Sequence, residues 1–215
     1  MLNKVSSFSG PLTKLPKSKT NDSFNYDNFI STQGLNLVST YGISNNWIYI
    51  TNNTNANVGN IYRSNKIKYN RNFSLQWNFE CSDGTGADGF SIQWTQTNNS
   101  NGVSGGGVGR ITSAINAITF LTFTNNNVTW YKNNTSQGTE TQAISFRQNA
   151  YYWLDYNHSN GTAKVYYSTS NTKPVTEQHS YTNFTFDNNN YYLGIGAATG
   201  GSNDNHILKS LKLTF

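Results

Sequence analysis

The stretch Phe73-Ser74-Leu75-Gln76-Trp77-Asn78-Phe79-Glu80-Cys81 alternates strictly between apolar and polar residues. Successive side chains of a β-strand point to opposite faces, so this period of two buries one face and leaves the other wet. It reads as one strand of a sandwich. A Gly-rich turn over residues 82–86 follows, and Phe90-x-Ile92-x-Trp94 then repeats the pattern as a second strand of the right length to pair with the first.

Working outward, short strands are predicted over 46–51, 117–124, 128–132, 151–156, 163–168, 191–197 and 207–215, separated by turn clusters such as Asn125-Asn126-Asn127 and Asn188-Asn189-Asn190. No window carries an i, i+3, i+4, i+7 apolar stripe, and the Asn, Ser, Thr and Gly content disfavours helix. Many short strands with polar turns imply an all-β antiparallel sandwich or barrel. Residues 1–22 contain Pro11, Pro16, Ser and Lys with little apolar periodicity and read as an arm or tether. Residues 23–215 form one domain, a length at which a single all-β core is usual.

Composition agrees. Of 215 residues, 35% are apolar, 14% aromatic and 12% charged, so aromatic rings must supply much of the core, and Asn accounts for about one residue in six. The net charge of +5 is scattered, with mild groupings at Lys14-Lys17-Lys19 and Arg63-Lys66-Lys68-Arg71. No phosphate-binding loop, zinc-finger spacing or basic helix accompanies it, so a solvated basic face is the better reading and no nucleic-acid partner is expected. Cys81 is the only cysteine, which excludes an intrachain disulfide. No eighteen-residue apolar run is present and the N-terminus reads as no signal peptide, so membrane insertion is not expected.

From about Phe24 to the end, the order of several segments resembles the legume-type (L-type) lectins. The carriers are Val58-Gly59-Asn60-Ile61-Tyr62, Gly86-Ala87-Asp88-Gly89-Phe90, Trp153-Leu154-Asp155-Tyr156 followed by Lys164-Val165-Tyr166, and Tyr192-Leu193-Gly194-Ile195-Gly196-Ala197-Ala198-Thr199-Gly200-Gly201, with His206 beyond. The resemblance implies a jelly-roll sandwich of a flat back sheet and a curved front sheet, with a shallow sugar site in loops over the concave face. It implies glycans or glycoproteins as partners, dimers or higher assemblies, and an extracellular, cell-surface or virion-surface setting in cell or host attachment. The arm would suit tethering to a larger assembly.

A sugar presents hydroxyls that donate and accept plus a patch of C–H surface, so its site needs a carboxylate or amide, backbone N–H groups and an aromatic wall. By resemblance Asp88 is the carboxylate that accepts from two hydroxyls, and the peptide before it is cis. Gly106 and Gly107 belong to the glycine-rich loop whose backbone N–H reaches a sugar oxygen. Phe123 is the stacking aromatic, Asn125 the site asparagine, and Gly200, Gly201, Asn203 and Asp204 the loop that tunes which sugar fits. Read without the resemblance, Asp88 is a turn-capping residue, Gly105-Gly106-Gly107 a flexible hairpin, and Phe123 a core residue.

The departure lies in the strand before Phe123. The family places two metal-binding acids there, whereas this chain has Thr119 and Leu121. We expect no metal cofactor; the alternative is a reduced calcium site on Asp88, Asn125 and backbone carbonyls. No catalysis is expected either. Glu80, Asp83 and Asp88 do not read as a groove pair of acids, and His158, His179 and His206 sit in no nucleophile or metal-ligand pattern. The competing reading is a structural or protein-binding head domain of a surface fibre or virion that has lost sugar binding.

Overall fold

A computed structural model describes residues 22–123, 126–142 and 145–215. Its strands are β1 (Phe24–Tyr26), β2 (Leu35–Val38), β3 (Gly42–Ser44), β4 (Trp47–Thr51), β5 (Val58–Arg63), β6 (Ile67–Lys68), β7 (Phe73–Ser82), β8 (Gly89–Thr95), β9 (Asn116–Leu121), β10 (Asn127–Lys132), β11 (Thr135–Thr141), β12 (Asn149–Asn157), β13 (Thr162–Ser168), β14 (His179–Tyr181), β15 (Asn190–Ala198) and β16 (Asn205–Thr214). One 3-10 turn, Gly105–Gly107, is the sole helical element among the described residues. The back sheet runs β14-β13-β12-β7-β16-β4-β3 with β1 also on β16; the front sheet runs β11-β10-β9-β8-β15-β5-β2 with β6 also on β15. The expected arm lies outside the described residues apart from Asp22.

β7 alternates as its sequence demands. Phe73, Leu75, Trp77, Phe79 and Cys81 are buried, while Ser74, Gln76, Glu80 and Ser82 are half-exposed. Asn78 is the exception on the polar face, at 6% exposure, and donates to Ala150 O (2.9 Å) and Asn149 Oδ1 (3.1 Å).

One expectation fails: β7 and β8 do not pair. β7 lies between β12 and β16 in the back sheet, and β8 lies between β9 and β15 in the front sheet. The two face each other across the core, with the Phe79 and Phe90 rings stacked at 4.1 Å. Their identical apolar alternation fits either arrangement, since both place the rings inward. What decides is the intervening segment, which leaves β7 at Ser82 and crosses the sandwich before Gly89.

Around that contact the core is a lattice of rings. Phe90 stacks on Phe120 of β9 at 4.6 Å, and Trp77 lies parallel to Tyr152 of β12 at 5.3 Å. Phe120 in turn meets Tyr152 and Phe146 edge-on at 5.5 and 5.6 Å. Such pairs add about 0.5–1.5 kcal/mol each beyond the area they bury.

β8 departs from simple alternation. Its outward residues Ser91, Gln93 and Thr95 are as buried as its inward ones, because the loop between β8 and β9 lies back over the front sheet. Gln93 fastens that loop: its amide donates to Asn60 Oδ1 (2.8 Å) and Gly109 O (3.3 Å) and accepts from Ile111 N (2.8 Å). A Cβ on Gly109 would fall 2.4 Å from Ala197 N, so only glycine lets the loop rest on β15. This loop carries the Gly105–Gly107 turn to Asp88, where a Cβ on Gly105 would lie 3.6 Å from the carboxylate.

The edge strand β11 had no sequence signal. All seven of its residues are exposed, and it is held by pairing with β10. A polar, fully wetted edge strand has no apolar period to read.

Because Phe90 joins rings of both sheets, Phe90→Ala should lower unfolding free energy by about 3–5 kcal/mol, against under about 0.5 kcal/mol for the exposed Ser136→Ala on β11. Urea melts followed by tryptophan fluorescence measure both; equal losses would show that the ring lattice is not the core.

Candidate functional site

The crossing between the sheets positions the site. Gly84 N donates to the Asp204 carboxylate (2.9 Å), Thr85 and Gly86 donate to Asn203 O (2.8 and 3.1 Å), and Asp88 N donates to Ala198 O (2.9 Å). On the other side Thr122 N donates to Asp88 O (2.8 Å). The Ala87–Asp88 peptide is cis, as the resemblance implies. Asp88 is thus held by backbone bonds to the ends of β15 and β9, which leaves its side chain uncommitted.

Neither carboxylate oxygen of Asp88 accepts a hydrogen bond from a described residue, and Oδ2 is buried. The residue is 9% exposed, and burial raises its carboxyl above the usual aspartate value of 3.8. An unpaired buried acceptor is costly unless something supplies a donor. Two glycines leave room for one. A Cβ on Gly200 would lie 2.5 Å from Asp88 Oδ2 and 3.2 Å from Gly105 Cα, and one on Gly105 would lie 3.6 Å from Oδ2. Gly105 N donates to Thr199 O (3.2 Å), tying the two loops together above the carboxylate.

The expected site residues divide. Asp88 and Gly200 meet directly, whereas Gly106 and Gly201 face open space beside them. Gly106 N–H has no partner among the described residues, but Gly107 N–H donates to Ser104 O (3.3 Å) and a Cβ on Gly107 would strike Val103. Phe123 is 39% exposed, which rules out the core reading, and follows directly on Thr122 at the Asp88 backbone. Asn125 lies outside the described residues.

Asn203 and Asp204 turn away from the hollow. Asp204 is fully buried, accepts from Gly84 N and pairs with Arg147 at 3.3 Å. Asn203 links Thr85 N (3.3 Å) to Asn55 Oδ1 (3.0 Å). Both brace the crossing instead of facing a ligand.

Sequence reading missed the supports. Thr199 is fully buried and its hydroxyl donates to Thr54 O (2.7 Å) and accepts from Asn57 N (2.8 Å), while Ala56 N donates to Gly200 O (3.0 Å). The Asn-rich segment 52–57 thereby fixes the Gly200 loop from below. Arg147, which also donates to Gly84 O, holds the crossing from the far side. Neither carries a local signal, since an Asn-rich turn and a lone Arg are ordinary surface text.

The donor set does not fit a two-ion metal centre. Thr119 is buried with its hydroxyl on Thr129 O (3.4 Å), and Leu121 offers no oxygen in its side chain. Among the described residues no three His, Cys, Asp or Glu side chains are grouped to hold a metal ion. Of the other acids, Glu80 pairs with Lys209 and Asp83 accepts from Asn205 (3.1 Å).

His206, two residues beyond Asp204, is fully buried, with Nδ1 on Thr51 Oγ1 (2.7 Å) and Nε2 without a partner among the described residues. Burial pushes its pKa from 6.5 down to about 3, which makes it a neutral core histidine.

No protein-family model matches the sequence, and no curated protein matches it. Solved structures do. Arcelin-5, a lectin-like defence protein from Phaseolus vulgaris, superposes with a TM-score of 0.74 at 17% identity, covering 89% of this chain and 96% of that one. Winged bean acidic lectin complexed with methyl-α-D-galactose gives 0.73 at 19% identity, covering 89% and 96%. The exoplasmic/lumenal domain of VIP36 in its Ca2+/Man-bound form gives 0.71 at 18% identity, covering 84% and 82%. Its metal-free form gives 0.70, so the backbone likeness is indifferent to bound metal. The chain therefore has the antiparallel β-sandwich fold of the legume-type (L-type) lectins.

His206 supplies a pH test. The unfolded chain takes up its proton as pH falls below about 6.5, whereas the folded chain does so only near pH 3. The contribution is therefore intact above pH 6.5 and is lost as pH falls toward 3, reaching roughly 2 kcal/mol at about pH 5. In His206→Gln the drop in unfolding free energy between pH 7.5 and pH 5 should shrink by that amount. The wild-type comparison is needed because the raised carboxyls of Asp88 and Asp204 act in the opposite sense. An unchanged drop would mean that His206 titrates normally in the fold.

Proposed function

We propose that the chain is a non-catalytic carbohydrate-binding module whose site is the hollow over Asp88, walled by Gly105, Gly106, Gly200, Gly201 and Phe123. One observation carries this reading: the buried Asp88 Oδ2 lacks a donor among the described residues, and Gly105 and Gly200 stand beside it. A sugar hydroxyl donating to a carboxylate makes a charge-assisted bond, stronger than a neutral one. The Gly106 N–H can donate to a second oxygen, and the exposed Phe123 ring can cover the C–H face of a pyranose. The winged bean and VIP36 structures, solved with methyl-α-D-galactose and mannose, support a sugar as the ligand class.

The site works without a metal ion in this reading. Asp88 is held by its backbone bonds to Ala198 and Thr122, and the Gly200 loop by Thr199, Thr54 and Asn57, in place of an ion. A single shallow site of this kind binds weakly, so homo-oligomers, or attachment of several copies to one assembly through the arm, would supply avidity. The setting is the outer surface of a cell or virion, where glycans are displayed. Among the described residues no helix is long and apolar enough to cross a membrane.

Glycan-array screening followed by calorimetry tests the reading. Wild type should bind at least one glycan family, with no loss on adding chelator. Asp88→Asn should weaken binding about 10- to 100-fold while melting no lower than wild type at neutral pH, since it removes a desolvated charge. Gly200→Ala should abolish binding by filling the hollow, with a near-ultraviolet circular dichroism spectrum like that of wild type as the check that the variant is folded. Binding should also weaken as pH falls, beginning above 3.8, because burial raises the Asp88 carboxyl. Failure of wild type to bind any glycan would leave the head-domain reading in its place.

A further inference from the structure

We infer that the outer face of the back sheet carries a second binding site, for a neutral oligosaccharide, in a groove between Trp47 and Tyr151. The groove has a volume of about 580 Å³ and is floored by Gln76, Asn78 and Asn149 of β7 and β12. It lies on the side of the sandwich opposite the Asp88 hollow, so the two readings stand or fall separately.

Its hydrogen-bonding groups are amides left half-used. Gln76 Nε2 donates to Asn171 Oδ1 (3.1 Å), and Asn78 Nδ2 donates to Asn149 Oδ1 (3.1 Å). Within each pair one carboxamide oxygen and one NH2 group have no partner among the described residues. In the Gln76–Asn171 pair exchanging O and N in both members leaves the same balance, whereas the Ala150 carbonyl fixes Asn78 with its NH2 as donor, so that Asn78 Oδ1 and the Asn149 NH2 are the free acceptor and donor. Two such donor-acceptor pairs, on neighbouring positions of one strand face, match vicinal hydroxyls, each of which donates and accepts. The amides are also held in place. Asn78 is 6% exposed and anchored to Ala150 O (2.9 Å), and Asn171 reaches over from the loop after β13 to form a wall.

The aromatic groups complete the match. Trp47 and Tyr151 are half-buried on either side of the floor. The Lys209 ammonium sits 4.1 Å from the centroid of the Trp47 ring, and Tyr151 stacks on Trp153 at 6.4 Å, so neither ring is free to collapse into the groove. Charge selects a neutral ligand. Lys209 is paired with Glu80, and the remaining charged groups at the groove, Asp27 and Lys212, are of opposite sign.

Two-dimensional 1H–15N NMR of the full chain, titrated separately with maltotriose, mannotriose and N-acetyllactosamine, tests this. With at least one of them the Trp47 indole N–H and the side-chain amides of Gln76, Asn78 and Asn149 should shift together. Trp47→Ala should weaken that binding at least tenfold, and Gln76→Ala, on a half-exposed position, should do likewise should Trp47→Ala not fold. Asp88→Asn should leave the groove shifts unchanged. The inference is overturned by shifts confined to the Asp88 loops, by no groove shifts with any of the three sugars, or by groove affinity that survives both groove variants. It is equally overturned by groove resonances that broaden with protein concentration in the absence of sugar, which would mark the face as a contact between copies.

Discussion

The stacked rings of Phe79 and Phe90 impose the constraint on which the rest depends. They touch at 4.1 Å from opposite sheets, yet only ten residues separate them in the chain. The backbone must therefore leave one sheet and enter the other within residues 83–88, while every buried N–H and C=O it carries finds a partner. Gly84, Thr85 and Gly86 find theirs on Asn203 and Asp204, and Asp88 on Ala198 and Thr122. The ends of β15 and β9 are thereby drawn to the same corner of the sandwich, and the proposed site lies where those ends converge.

The same convergence explains why glycine dominates the corner. Two loops, one from the β8–β9 connection and one after β15, approach a carboxylate that the crossing has delivered from beneath. At Gly200 the approach is closer than any side chain would permit. The outcome is a buried acceptor with an opening above it. A core that had no use for the opening would gain by closing it, since a buried carboxylate oxygen without a donor opposes folding. In the proposed reading a ligand hydroxyl offsets that cost by supplying the donor that the carboxylate lacks among the described residues.

Position within the crossing also separates residues that look alike in the sequence. Asp88 and Asp204 are both buried aspartates raised by desolvation. Asp204 is surrounded by donors, Gly84 N–H and the Arg147 guanidinium, and so serves the scaffold. Asp88 is hydrogen-bonded through its backbone alone among the described residues, which leaves its side chain uncommitted. Asn203 belongs with the scaffold for the same reason, although it sits only two residues beyond the open Gly201.

Much of this molecule was written in local sequence. The alternation in Phe73–Cys81 and Phe90–Trp94, with the aromatic richness of the apolar positions, dictated buried strands, and the resemblance gave the sandwich type and pointed to Asp88 and the two glycine loops. Those features are legible because periodicity and glycine placement act over a few residues. Which strands share a sheet was not legible, since pairing and face-to-face stacking place the same alternate residues inward; the partners of the crossing decided it. The closing of the β8–β9 loop over Gln93, the bracing of the Gly200 loop by residues 54–57 and the division of roles between Asp88 and Asp204 likewise rest on contacts between residues more than a dozen positions apart. Such contacts leave no period in the chain, and only the tertiary structure assembles them.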